Sequence, residues 1–216
     1  MPLTLYAHPL SSYSQKVLIA LYERAVPFTY RRLDEPGAHA ELTQLWPFRR
    51  FPLLVDDGTP VIESSIIIEH LDQRHTQSER LISTNPTTAL DVRFMDRFFD
   101  IYVHTPMQRI VGDALRDAGQ RDATGVAEAR ATLDTAYAWL EQRIGSDWAV
   151  AGAFSLADCA AAPALFYSDW THPIGAQHSR LRAYRTRLNT RPSFARAIDE
   201  ARPFRNLFPL GAPDRD

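Results

Sequence analysis

The chain has 216 residues, a formal net charge of -2 at pH 7 and 45% hydrophobic residues. This length is enough for one large or two modest domains with apolar cores. The small net charge gives no general attraction to nucleic acid, and the arginines between residues 180 and 196 are scattered around a predicted helix. The single cysteine, Cys159, excludes an internal disulfide, a CxxC redox pair and a cysteine zinc cluster. We therefore expect no metal and no nucleic-acid partner.

The start of the chain carries no basic, apolar and small-residue pattern of a secretory signal. The most apolar window, residues 149–167, contains Asp158 and Pro163, which favours a buried core helix over a membrane span. The sequence thus predicts a cytoplasmic protein without a membrane partner.

The first elements alternate between strand and helix patterns. Residues 3–6 form a strand pattern, residues 14–23 a helix that Ser14 is expected to cap, residues 28–32 a second strand, and residues 40–45 a short helix. With the hairpin that follows, this order predicts an α/β layer with a mixed four-stranded sheet. We assign residues 1–77 to this domain, which has the order of a thioredoxin-like fold.

The hairpin is the most informative segment of the chain. Phe51-Pro52 precedes an apolar strand, Asp57-Gly58 marks a tight turn, and a second strand leads to Glu63-Ser64 at the start of a helix. The backbone beside a cis X-Pro bond can pair with an extended ligand. Ser64, at a helix N-terminus, suits a carboxylate, and Glu63 suits an ammonium. The segment therefore predicts a site for a peptide-like ligand.

The second half of the chain is predicted to be all-helical. Residues 78–86 are polar and read as a linker, residues 87–208 form a helical bundle with a kink near Pro106, and residues 209–216 form a loose tail. Within the bundle, Ser155 and Asp158 have the spacing of a capping box that begins a nearly apolar, central helix.

Four ordered segments resemble the cytosolic glutathione transferases over nearly the whole chain. The resemblance rests on the loop and helix start at residues 6–17, the segment 45–54 with Phe51-Pro52, the Glu63-Ser64 pair, and the helix start at residues 152–158. It implies a thioredoxin-like domain that binds glutathione and a helical domain that lines the site of a small hydrophobic electrophile. It also implies a homodimer and a role in detoxification, with glutathione as co-substrate.

Glutathione reacts as a thiolate, although a thiol with an ordinary pKa of about 8.5 is mostly protonated at neutral pH. Ser11 stands where serine-type members of the family carry the hydroxyl that stabilises the thiolate. A hydrogen bond to a charged group contributes about 1.5 to 3 kcal/mol, enough to lower a pKa by about one to two units. Which hydroxyl contacts the thiol stays open among Ser11 and the nearby Ser12, Ser14, Tyr6 and Tyr13.

The resemblance assigns further residues to the two substrates. Arg50, Phe51, Pro52, Glu63 and Ser64 would hold glutathione. The electrophile would lie between the domains, against Tyr102, Thr105, Met107, Tyr167 and Trp170. Two other functions remain open. The serine loop also resembles that of glutathione-dependent isomerases and dehalogenases, and a non-catalytic interaction module of the stringent-starvation-protein type shares the same fold.

Overall fold

A computed structural model describes residues 3–75 and 79–216. The first domain contains a four-stranded sheet in the order β2-β1-β3-β4, built from β1 (Leu3–Ala7), β2 (Phe28–Arg32), β3 (Leu53–Asp56) and β4 (Thr59–Ile62). Strands β1 and β2 are parallel, whereas β1–β3 and β3–β4 are antiparallel. The predicted mixed sheet is therefore confirmed.

The predicted hairpin connects β3 and β4. Leu53 lies opposite Ile62 and Asp56 opposite Thr59, so only two residues form the turn. Both have positive φ angles, +48° at Asp57 and +78° at Gly58, as the tight turns of such hairpins require. Strand β4 therefore runs directly beside β3. The residue that follows β4 is Glu63.

Three helices complete the first domain: α1 (Ser12–Glu23), α2 (Ala38–Leu45) and α3 (Ser64–Arg74). Helix α1 begins two residues earlier than predicted, because Ser11 and not Ser14 is its cap. The Ser11 hydroxyl accepts the backbone N–H of Ser14 over 3.3 Å. Ser14 is buried inside the first turn, where its hydroxyl accepts the backbone N–H of His8.

The second domain is all-helical, as predicted. Its helices are α4 (Pro86–Phe98), α5 (Thr105–Ala114), α6 (Ala123–Arg143), α7 (Leu156–Thr171), α8 (Ser179–Asn189) and α9 (Pro192–Ala201), with short 3-10 segments at Ala118–Gln120 and Arg202–Leu207. Among the residues described, no helix is both long and apolar enough to cross a membrane.

Helices α4 and α5 are joined by a π-helical segment, Phe99–His104. The three segments follow one another without a break in the helical backbone. The structure has this π-helical segment where the sequence predicted a kink near Pro106. Pro106 has no N–H and cannot donate the hydrogen bond that an α-helix would make there. Segments of π-helix are often found at functional sites, and this one faces the first domain.

The predicted linker and tail can be compared with the structure only over the described residues. The boundary between residues 77 and 78 lies outside the described residues, and α4 begins at Pro86 after the cap residue Asn85. Residues 209–216 were predicted to be a loose tail, and in the structure they form no helix or strand. Arg215 pairs with Asp169 on α7, and Asp216 pairs with Arg202 at 2.5 Å, because the charged end of the chain meets groups of opposite charge.

The two domains meet along α1, which packs against α7 and the π-helical segment through buried polar contacts. The Gln15 side chain donates to the Tyr167 hydroxyl over 3.0 Å. The Ser12 hydroxyl lies 2.5 Å from His104 Nε2. Burial lowers the pKa of His104 to about 3, and the nearby Lys16 acts in the same direction. His104 is therefore neutral at physiological pH.

The predicted capping box at the start of α7 is present. Asp158 is fully buried, and its carboxylate accepts the Ser155 N–H at 2.9 Å and the Ser155 hydroxyl at 3.0 Å. The same carboxylate accepts the Ala149 N–H at 2.9 Å and the Tyr184 hydroxyl at 2.6 Å. It therefore ties together the loop before α7, the helix start, and α8.

Replacing Asp158 with alanine should lower the free energy of unfolding by about 3 kcal/mol, because a cap is lost and several buried donors lose their acceptor. Chemical denaturation measures this change. Asp199→Ala, which removes an exposed carboxylate, is the matched control and should change stability by less than about 0.5 kcal/mol. Equal effects of the two substitutions would contradict this role of Asp158.

His104 should make the stability of the protein depend on pH. Its pKa is lowered in the folded state, so the unfolded chain takes up a proton first as the pH falls below 6.5, and stability is lost between there and about pH 3. The contribution is about 1.4 kcal/mol per pH unit, or about 2 kcal/mol between pH 6.5 and 5. His104→Gln should reduce this loss, as measured by urea denaturation at both pH values. The exposed His39→Gln should leave it unchanged.

Candidate functional site

A cavity of about 370 Å³ opens between the hairpin region and the π-helical segment of the second domain. The structure brings the residues predicted to hold a peptide-like ligand to this one cavity: its lining includes Arg50, Phe51, Pro52, Glu63 and Ser64. Residues from the second domain form the opposite wall. The site is thus built by both domains, as expected for a ligand that lies between them.

The wall from the first domain is formed by the two ends of the hairpin. The Phe51-Pro52 peptide bond is cis. Arg49, two residues before Phe51, has a φ angle of +55°, a conformation that favours glycine. At the other end Glu63 has a φ angle of +70°. Strained backbone of this kind is concentrated at functional sites.

The charges on this wall suit the two ends of a zwitterionic peptide. Ser64 is the first residue of α3, so its backbone N–H lies at the positive end of the helix dipole, where an anion is stabilised. Glu63 beside it is exposed and carries the negative charge. The Arg50 guanidinium is exposed and has no ion-pair partner within the described part of the chain.

The five hydroxyls near α1 have different environments. Ser12 is buried against His104, Ser14 accepts the His8 N–H, and Tyr6 donates to Glu41 at 3.0 Å. Ser11 is half-buried; its oxygen accepts the N–H of Ser14, which leaves its own proton free to donate. Tyr13 lines the cavity, whereas Ser11 lies two residues before it and does not. Ser11 and Tyr13 thus differ from the other three: both are half-buried, whereas Ser12 and Ser14 are buried and Tyr6 donates to Glu41.

Tyr13 is held in place from behind by His104. The two rings stack with their centroids 3.8 Å apart and an angle of 25° between their planes. Burial, with a smaller contribution from Asp100, raises the pKa of Tyr13 to about 12. The phenol therefore keeps its proton at neutral pH and can act only as a neutral hydrogen-bond donor.

Of the residues expected to bind an electrophile, only Thr105 lines this cavity. Met107 and Tyr167 are buried in the core, because they lie on faces of their helices that turn inward. Trp170 packs against Phe208, with ring centroids 5.2 Å apart. Tyr102 is half-exposed and lines a different, apolar cavity of about 340 Å³ between α4 and α6.

The wall from the second domain is more polar than predicted. Besides Ile101 and Thr105, it presents Arg97 and Asp100. Burial raises the pKa of the Asp100 carboxyl, although Lys16 beside it acts in the opposite direction. Among the described residues, no group of three or more His, Cys, Asp or Glu side chains is placed to hold a metal ion.

Behind this wall lies an ion cluster that the sequence analysis did not identify. The ammonium of the buried Lys16 lies 2.6 Å from Asp96 and 2.9 Å from Asp100, and it donates to the Ser65 hydroxyl at 3.0 Å. Arg97 closes the cluster from the cavity side. Lys16 is the only lysine in a chain that otherwise uses arginine, and this was the available signal in the sequence.

Comparison with known proteins gives matches to both domains. Residues 5–79 match the glutathione S-transferase N-terminal domain, and residues 123–187 match the glutathione S-transferase C-terminal domain. The chain is 34% identical to glutathione S-transferase U10 of Arabidopsis thaliana over 56% of its own length, and the match spans only about half (51%) of that relative. It is 26% identical to a stringent starvation protein A homolog of Coxiella burnetii over 92% of both chains.

Solved structures show the same architecture. A glutathione S-transferase from Methylobacterium radiotolerans, solved with glutathione sulfonate, is 28% identical with a TM-score of 0.78 and covers 92% of this chain and 95% of its own. Ure2p in complex with glutathione is 20% identical with a TM-score of 0.81, covers 92% of this chain and 94% of its own, and shows the shared fold. With both of its domains matched in order, the chain belongs to the glutathione S-transferase family.

Proposed function

We propose that the protein binds glutathione in the cavity between the domains and stabilises its thiolate for attack on a small electrophile. One observation carries this proposal: Arg50, the Phe51-Pro52 segment, Glu63 and Ser64 converge on one cavity with Tyr13 on its wall. The glutathione sulfonate bound by the similar transferase of Methylobacterium radiotolerans supports a ligand of this class. In this role the protein is a cytoplasmic transferase that takes part in detoxification.

The charges of the site give glutathione one orientation. The γ-glutamyl end lies at Glu63 and Ser64, where its ammonium meets a carboxylate and its carboxylate meets the N-terminus of α3. The glycyl carboxylate lies near Arg50, whose guanidinium can donate two parallel hydrogen bonds. The cysteinyl backbone then runs beside Phe51, and the thiol lies toward the start of α1.

Ser11 is the donor that we assign to the thiolate. Its oxygen is occupied by the N–H of Ser14, so its proton is free to donate, and the positive end of α1 favours an anion at this place. Tyr13 is the alternative, since its phenol keeps its proton and lines the cavity. The second substrate is a small electrophile whose apolar part packs against Ile101 and the Tyr13 ring.

Replacing Ser11 with alanine should raise the pKa of bound glutathione by about one to two units, because a hydrogen bond to the thiolate is lost. The ultraviolet absorbance of the thiolate, followed against pH, measures this shift. Tyr13→Phe is the matched control, since it removes one hydroxyl from the same loop, and should shift the pKa by less than about half a unit.

The outcomes of this titration separate the candidates. If the pKa of the bound thiol rises in Tyr13→Phe and stays unchanged in Ser11→Ala, Tyr13 is the donor. If wild-type protein binds glutathione without lowering its thiol pKa, the transferase proposal is wrong. No binding of glutathione would favour a non-catalytic interaction module. That second candidate draws on the match to the stringent starvation protein A homolog over 92% of the chain, against 56% for glutathione S-transferase U10.

We also propose a homodimer in which the first domain of one chain packs on the helices of the other. Large apolar side chains are exposed along α4: Leu90 is 69% exposed and Phe94 47%. Ile66, at the start of α3 on the first domain, is also exposed. Side chains one turn apart on a helix form a continuous stripe, which a second copy would cover.

Leu90→Glu should convert the dimer to a monomer, because a charge would be buried without a partner in the interface. Analytical ultracentrifugation at micromolar concentration measures this change. Leu210→Glu, at another exposed leucine, is the control and should leave the dimer intact. A wild-type protein that sediments as a monomer under these conditions would refute the dimer.

A further inference from the structure

Arg97 lies on the cavity wall that the second domain forms. Its guanidinium is held by hydrogen bonds and ion pairs along one edge only. Its side chain is 53% exposed, yet Nη2 donates to the Ser65 hydroxyl at 2.7 Å and to Asp96 at 3.2 Å. Nε also donates to Asp96, at 3.3 Å, and Nη2 pairs with Asp100. One edge of the guanidinium is therefore fixed.

The other edge of this guanidinium is free. Within residues 3–75 and 79–216, Nη1 of Arg97 makes no hydrogen bond or ion pair. A guanidinium stays charged at any pH at which the protein is folded and can present two N–H groups to a carboxylate. Its orientation is set before a ligand arrives, so little side-chain entropy remains to be lost on binding.

The position of Arg97 decides which carboxylate it can reach. Ser65, which Arg97 contacts at 2.7 Å, directly follows Ser64, the residue whose backbone N–H begins α3. Arg50, which suits the glycyl end, lies in the segment before Phe51 at the other end of the hairpin. Arg97 is therefore adjacent to the site of the γ-glutamyl end.

We propose that Arg97 is a ligand-binding residue whose Nη1 donates to the α-carboxylate of the γ-glutamyl group of glutathione. This inference rests on the proposed function. In it, Asp96, Asp100 and the buried Lys16 are positioning residues that hold the guanidinium at the cavity. The second domain thereby takes part in binding glutathione within one chain, beyond its role as a wall for the electrophile.

The test compares glutathione with 4-aminobutanoyl-cysteinyl-glycine, which is glutathione without its α-carboxylate. Calorimetry gives the ratio of the two dissociation constants for each variant. Wild-type protein should prefer glutathione, and Arg97→Gln should lower this preference about tenfold, because a charge-assisted hydrogen bond to that carboxylate is lost. Some preference should remain, since the N-terminus of α3 still attracts the carboxylate.

A matched control lies one turn earlier on the same helix. Arg93 is also half-exposed and holds the Glu69 carboxylate with hydrogen bonds of 2.9 and 2.8 Å, but it does not line the cavity. Arg93→Gln should leave the preference unchanged. Arg97→Lys keeps the charge but loses the planar fork, and should lower the preference by a smaller factor. It supplies the same comparison if Arg97→Gln does not fold.

The outcomes distinguish this inference from the proposed function. If wild-type protein binds neither ligand, the proposed function fails. If it binds glutathione and both Arg97 variants keep the wild-type preference, the assignment of Arg97 is wrong while glutathione binding stands. A loss of affinity for both ligands by the same factor would also overturn the assignment, because it would show a structural effect without recognition of the carboxylate.

Discussion

The buried ammonium of Lys16 is the contact on which the geometry of the cavity depends. It joins α1 of the first domain to Asp96 and Asp100 of the second, and it also contacts Ser65 on α3. Taking these charges out of water costs several kcal/mol per ion, and removing one partner of a buried pair costs about 3 to 5 kcal/mol. A cluster of this kind adds little net stability, but its geometry is strict, and it fixes how α3 and α4 meet beside the ligand site.

The candidate site is accordingly a composite of rigid parts. The hairpin brings Phe51-Pro52 and Glu63-Ser64 to one wall through a turn of only two residues. On the opposite wall, the π-helical segment brings Asp100 and Ile101 to the cavity, and the ion cluster holds Arg97 there. His104 supports Tyr13 from behind while bonding to Ser12. Each wall is thus oriented before a ligand binds, which lowers the entropic cost of recognition.

The features that the sequence predicted well are local ones. The hairpin, the capping box at Ser155 and Asp158, and the irregularity near Pro106 each depend on residues a few positions apart, so that their spacing carries the information. The cap of α1 was misplaced because Ser11 and Ser14 are chemically alike, and they differ only in that Ser14 is buried in the first turn while Ser11 accepts the Ser14 N–H. Local spacing cannot resolve such a choice.

The features that depend on packing between distant segments could not be predicted in this way. Lys16 and Asp100 are 84 positions apart, and nothing in either local sequence indicates the other. For the same reason Met107 and Tyr167 were expected at the electrophile site although they face the core. A helical pattern shows which residues share a face, but it does not show whether that face meets a cavity or another helix. The polar wall formed by Arg97 and Asp100 was missed for this reason.

The central claim is that the cavity between the domains is a glutathione site. Calorimetric titration of the 216-residue wild-type chain with glutathione at neutral pH, repeated with the Glu63→Ala variant, tests it most directly. The account predicts saturable binding of one glutathione per chain, and a clear loss of affinity when the Glu63 carboxylate is removed. Absence of binding at millimolar glutathione, or equal binding by both proteins, would contradict it.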